Sequence, residues 1–266
     1  MAESQASLVA NMAAAGRNGS VTKLEPVELP LWREVLFGVD WLALRVSAVY
    51  AGFGVPRGDG SAVIIVPGFL GADDYLAELH DWLGRIGYRP YYSGIGRNAD
   101  CPEVLTERLL VTIDRAYAET RRRVRLIGHS LGGLIARSAA IRRPERVEQL
   151  ISLAAPFRSI RAHPMVLAAA SVVRSRILDG RRNGQAVRGE CYSGSCPCEF
   201  ARSLQCELPQ SVLRAAIYTL SDGVVDWRSC LEDDARLNIE VGSTHAGLAF
   251  NPQVYRHLGR LLTSRY

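Results

Sequence analysis

The sequence predicts an α/β domain in which helices flank a mainly parallel central sheet. Three observations carry that expectation. Short β-branched runs, such as Ala62-Val63-Ile64-Ile65-Val66, alternate with helical segments, the pattern of parallel strands joined by right-handed crossovers. The pentapeptide Gly128-His129-Ser130-Leu131-Gly132 stands between a strand-like run and a helical one. The 266 residues, 48% apolar and 22% charged, have the composition of a soluble globular chain and the length for a large core.

Taken in order, residues 1–28 mix Ala, Asn, Gly and Ser without periodicity and read as a loose leader. Residues 30–52 read as a helix. The apolar-rich stretch Leu31–Val55 is interrupted by Arg33, Glu34, Asp40 and Arg45, so it reads as a helix packed on the domain, or else one lying on a membrane surface. Residues 62–66 are long enough for a buried parallel strand. Ala72–Ile86 places Tyr75, Leu76, Leu79, Trp82, Leu83 and Ile86 on one helical stripe, and Gly87 ends it. Arg89–Ser93 reads as a strand, Gly94–Cys101 as a loop and Glu103–Thr120 as a helix. The strand Val124–Ile127, the helix Ser130–Ile141 and the strand Val147–Leu153 follow. Ser211–Leu220 and Leu237–Val241 give two later strands, and Gly247–Ser264 the terminal helix. Residues 157–210 break the alternation and read as a cap over the C-terminal edge of the sheet. The core is then 29–156 and 211–266. The apolar piece Met165–Ala170 reads as a lid, or as an ordinary buried helix.

The net charge is +5, and 31 of the 32 basic residues are arginines, Lys23 being the exception. The tight cluster Arg121-Arg122-Arg123 falls at a helix end, where cations are stabilising, so no nucleic-acid partner is expected. No stretch reaches 18 uninterrupted apolar residues, and no basic-then-apolar leader is seen, so the expected location is cytoplasmic. Cys191, Cys196, Cys198 and Cys206 cluster in a polar stretch. Disulfides, free thiols and a structural zinc are all open for them, although C-x4-C-x-C-x7-C is not a common zinc-ribbon spacing. None of the three readings is needed for catalysis.

A serine hydroxyl is a weak nucleophile that needs a histidine base, itself oriented by an acid. In a strand–elbow–helix setting the chain order is Ser, acid, His. Ser130 sits in the elbow, Asp222 directly follows a strand, and His245 follows the last strand and precedes the terminal helix. Both partners thus fall past strand ends, where open α/β sheets place their chemistry. Asp226 shares the loop of Asp222 but suits the N-cap of the segment beginning at Trp227. The oxyanion donors expected are the backbone N–H of Leu131, next to the nucleophile, and that of Phe69, in the loop after the first core strand.

With these residues in place, the chain resembles the bacterial lipase and esterase branch of the α/β-hydrolase superfamily. Gly128–Gly133 is similar to the elbow of true lipases, and Val66–Gly71 to the family's oxyanion loop, with Pro67 where many members carry His. Gly96-Arg97-Asn98 resembles a lipase loop, and Asp222–Val225 and Ser243–His245 match the acid and base segments. The resemblance covers about residues 50–263. It implies hydrolysis of carboxylic esters without metal or organic cofactor: attack by Ser130, an acyl-enzyme, and deacylation by water activated by His245. Its expected partner is a small-molecule ester or lipid, with transient contact at a lipid interface. An acyltransferase or thioesterase would use the same triad, and a non-catalytic binding protein would require the triad or oxyanion hole to be broken. Oligomeric state is not legible in the sequence.

Overall fold

A computed structural model describes residues 24–182 and 198–264. Its frame is a six-stranded, all-parallel sheet. The strands are β2 (Ala62–Val66), β3 (Arg89–Tyr92), β4 (Val124–His129), β5 (Val147–Leu153), β7 (Leu213–Tyr218) and β8 (Asn238–Glu240), in the order β3-β2-β4-β5-β7-β8. Every residue of β2 and β4 is buried; β2 is the continuous apolar run that a two-sided parallel sheet favours, whereas β4 also carries His129 and Arg125, the latter paired with Asp59 and Glu148. The pleat sends Ala62, Ile64 and Val66 into one core and Val63 and Ile65 into the other. The first core is closed by α3 (Pro102–Thr120) and α4 (Leu131–Arg142), the second by α2 (Ala77–Arg85) and α7 (Pro252–Leu261). Because β2 lies between β3 and β4, the chain reverses direction across the sheet there. The loops leaving β2 and β4 therefore face one crevice.

Several elements differ from the sequence reading. Residues 30–52 are not one helix. A 3-10 segment, Leu31–Leu36, leads into the short α1 (Phe37–Arg45), and turns follow from Val46. Of the apolar residues in 31–53 only Leu44 and Val49 are buried, so little tertiary packing props up a longer helix there. The helices expected at 72–86 and 247–264 likewise each begin with a 3-10 turn, at Asp73–Leu76 and Gly247–Ala249. The end of the expected leader is ordered: Leu24–Pro26 forms β1, parallel to β6 (Ile160–Ala162).

The interval read as a single cap divides in two. Its first half supplies β6 and α5 (Pro164–Arg182), and Met165, Val166, Ala169 and Ala170 of α5 line the central cavity. Its end belongs to the core flank. Phe200, Leu204 and Leu208 are buried in the same cluster as α3 and α4, and Arg142 ties α6 (Glu199–Ser203) to α3 by pairing with Glu103, Glu107 and Glu199. Cys191 and Cys196 lie outside the described residues. The Cys198 sulfur caps α6 by accepting from the Ala201 N–H.

Candidate active site

The elbow is a backbone constraint before it is a chemical one. Ser130 adopts φ 52° and ψ −126°, a region costly to a residue with a Cβ. Its N–H donates to the Leu153 carbonyl (2.8 Å) and its carbonyl accepts from the Gly133 N–H (2.9 Å), so the neighbouring strand and helix fix the strained turn. A Cβ on Gly128 would lie 2.5 Å from the Gly133 Cα, and one on Gly132 2.4 Å from the carbonyl oxygens of Val66 and Pro67. Side chains at these two positions would push β4, α4 and the β2 loop apart. Leu70 (φ 63°) and Ala154 (φ 45°) are also left-handed, so three such residues lie at the ends of the adjacent strands β2, β4 and β5.

Asp222 and His245 come together behind the serine. Asp222 Oδ1 accepts the N–H groups of Val224 and Val225 (2.8 Å each), and Oδ2 lies 2.7 Å from His245 Nδ1. A carboxylate only accepts, so Nδ1 carries the proton and Nε2 is left as the basic nitrogen. Both side chains are buried. Burial pushes the His245 pKa down, but the charge and hydrogen bond of Asp222, with a further contribution from Glu34, overcome this and raise it above the ordinary imidazole value. Asp226 faces elsewhere: it accepts from the Arg228 N–H as the N-cap of Trp227–Cys230 and pairs with Arg161 at 3.0 Å.

Ser130, His245, Phe69 and Leu131 open on one cavity of about 480 Å³. Its walls are almost wholly carbon, including Leu70, Leu134, Ile160, Met165, Val166 and Val225. Leu131 begins α4, so its N–H belongs to the first turn, where backbone donors lack helical acceptors. Asn98, fully buried, clamps the Phe69 loop: its Nδ2 donates to the Pro67 carbonyl (2.8 Å), its N–H to Gly71 O (2.7 Å), and its carbonyl accepts from Leu70 N–H (2.8 Å).

Two residues that sequence reasoning left without a role stand beside this group. His129, in the variable position of the elbow, is buried with its ring centroid 4.9 Å from that of His245, and its Nε2 donates to the His245 carbonyl (2.9 Å). Burial, with the neighbouring His245, lowers its pKa to about 3, so it is a neutral strut. Glu34 reaches in from the N-terminal segment. Its Oε1 accepts the N–H groups of Gly223 (2.9 Å) and His245 (3.1 Å), and its Oε2 that of Ala246 (2.8 Å). One carboxylate thus joins the loop of Asp222 to the loop of His245. Asp40 does related work, accepting from Ser243 Oγ (2.8 Å) and Asn251 Nδ2 (2.7 Å). The available signal was two acids, with Arg33 and Arg45, interrupting an apolar-rich stretch.

A family model for the PGAP1-like α/β domain matches residues 103–167, the part holding α3, the elbow and the start of α5. Among solved structures, the fold is similar to that described for the metagenome-derived lipolytic enzymes LipS and LipT, at TM-score 0.53 and 17% identity over 79% of this chain and 96% of that one. It is also similar to a monoacylglycerol lipase from Paleococcus ferrophilus, at TM-score 0.51 and 16% identity over 78% and 96% of the two chains. The carboxylesterase CesB (YbfK) from Bacillus subtilis matches at TM-score 0.50 and 13% identity over 87% of this chain and 100% of its own.

Proposed function

We propose, from the premise that the chain has the α/β-hydrolase fold, that it is a serine hydrolase of carboxylic esters with an apolar acyl group. The observation that carries the reading is the buried Asp222–His245 pair, 2.7 Å apart, whose histidine shares one apolar cavity with a serine held at positive φ. His245 Nε2 takes the Ser130 proton as Oγ attacks the ester carbonyl. Asp222 stabilises the imidazolium that forms. The N–H groups of Leu131 and Phe69 are the donors for the oxyanion, whose charge develops at the N-terminus of α4. His245 then protonates the departing alcohol, and water activated by the same nitrogen releases the acid from the acyl-enzyme. No hydrogen bond joins Ser130 to His245 among the described residues; nucleophile and base commonly tighten only when substrate binds. The carbon-lined walls suit a hydrocarbon acyl chain, and the carbonyl is the polar group the site would orient.

Hydrolysis of p-nitrophenyl esters from acetate to palmitate, by the wild type and by Ser130→Ala, tests this. The expected result is turnover in the wild type, with an optimum set by the cavity, and its loss in the variant. Equal traces from both would refute it.

A further inference from the structure

Beyond the cavity, the most unusual surface is the N-terminal segment. Trp32, Val35, Val39, Leu42, Val46 and Phe53 are all exposed, Val39 to 67% and Val46 to 79%. This is a dense array of large apolar side chains within residues 32–53, far from the scattered exposure of an ordinary surface. Among the described residues no helix is long and apolar enough to cross a membrane, so the segment would lie on an interface rather than span one.

We propose that residues 31–57 seat the protein on a lipid surface carrying anionic headgroups, next to the cavity. Charge is the first argument. The stretch contains two carboxylates, Glu34 and Asp40, and both are turned inward onto the loops of residues 223–246. The outward charges of the stretch are arginines: Arg33 lies 5.5 Å from the Trp32 ring, and Arg45 lies 5.0 Å from the Trp41 ring with its guanidinium paired to Glu78 at 2.9 Å, so Arg33 carries the uncompensated charge beside the rings. Aromatic rings beside cations, flanked by aliphatic side chains, match the layered chemistry of a headgroup region over acyl chains. Continuity with the cavity is the second. Glu34 holds the backbone of His245 and Ala246, and Phe37 packs at 6.2 Å on Phe250, which packs on Tyr75; His245, Ala246 and Tyr75 all line the cavity. Leu70 and Met165 add exposed apolar groups from the cavity wall itself. Residues 1–23 include no aromatic residue, so by composition they are a poor match for the patch.

The test is co-sedimentation of full-length Ser130→Ala with vesicles of phosphatidylcholine, with and without phosphatidylglycerol, alongside tryptophan emission. Binding to the anionic vesicles, a blue shift, and weakening by salt are expected. A Val39→Glu/Val46→Glu double variant should lower partitioning roughly tenfold or more, while an otherwise wild-type chain carrying it keeps its rate on a soluble short-chain ester. Absence of sedimentation, or equal binding by the double variant, would overturn the proposal. So would a dimer that the double variant dissociates, which would make a second copy the occupant, or binding gained only on removing residues 1–23. Vesicle binding needs no turnover, so failure of the hydrolase reading would appear separately, as a wild type inert on soluble esters.

Discussion

Replacing Glu34 by alanine would remove a group that touches neither substrate nor nucleophile, yet it should slow the reaction. The carboxylate accepts three backbone N–H groups, one from the loop of Asp222 and two from the loop of His245. Hydrogen bonds to a charged group contribute about 1.5–3 kcal/mol each when intact. Glu34 is partly exposed, so water can replace some of what is lost, and a stability loss of about 2–4 kcal/mol is the expected cost. The kinetic consequence follows from geometry. A shift of about 1 Å in a reacting group can reduce rate about 100-fold, and Glu34 fixes the relative position of the two loops that must deliver one hydrogen bond.

The expected result for Glu34→Ala is therefore a kcat lower by roughly 10- to 100-fold with KM for a short ester little changed, because Glu34 does not line the cavity. Glu34→Gln separates clamp from charge. It keeps one oxygen for Gly223 and His245 but sets an amide NH2 against the Ala246 N–H. Because the charge of Glu34 helps to raise the His245 pKa, the acidic limb of kcat/KM should move to lower pH in Glu34→Gln. Steady-state kinetics across pH, with a thermal melt to confirm folding, is the assay. A folded Glu34→Ala with wild-type kcat and an unmoved acidic limb would refute the positioning argument.

The acid can be assigned by comparison: Asp222→Asn should lower kcat about 10⁴-fold, whereas Asp226→Ala should cost about 1 kcal/mol of stability as a lost cap and leave kcat within about twofold. Asn98→Ala removes the buried hydrogen bond to the Pro67 carbonyl and should lower kcat about tenfold by loosening the Phe69 loop, with KM less affected; an unchanged kcat would sever that loop from the chemistry. His129 has a folded pKa of about 3, below its unfolded value near 6.5, so its contribution to stability is complete above about pH 6.5 and is lost as pH falls toward 3. Urea unfolding at pH 7 and pH 4.5 should show the wild type losing about 3 kcal/mol more than His129→Gln over that interval, and equal losses would mean that His129 is not buried neutral.

What the sequence made legible follows from locality. A strand buried on both faces is mostly apolar, so 62–66 announces itself, and the run Val124–Ile127 does so despite Arg125, whose guanidinium is paired with Asp59 and Glu148. An elbow needs small residues at fixed spacing, and Gly128 and Gly132 meet backbone where any Cβ would stand. Chain order together with position past strand ends marked Asp222 and His245 as candidates, with the N-cap role of Asp226 setting it apart, and the two meet at 2.7 Å. What escaped was set by partners distant in the chain. The three-residue strands β1 and β6 carry no apolar run, and their pairing exists only once both are delivered to one edge. Phe200 and Leu204 sit in a polar, cysteine-rich stretch, yet they complete the packing on α3 and α4, a contact that neither segment encodes alone.

The N-terminal segment shows why composition misled most there. Apolar content suggested a helix packed on the domain, or else one lying on a membrane surface, and packing would have turned the aliphatic side chains inward and the charges out. The structure does this only in part, burying Leu44 and Val49 and leaving Arg45 outside. Glu34 and Asp40 point inward to backbone N–H and side-chain donors near His245, while Trp32, Val39 and Val46 remain exposed. Burying a carboxylate is unfavourable unless its oxygens are satisfied, and burial does raise the Asp40 pKa against the pull of its hydrogen bonds. In this arrangement the two inward-facing acids hold the loop of His245 in place and the apolar face stays available to an outside phase. A change that releases residues 31–45 should therefore loosen His245 as well as remove the exposed patch. Deletion of this stretch should lower turnover even of fully soluble esters, whereas Val39→Glu/Val46→Glu, which alters the outer face alone, should not.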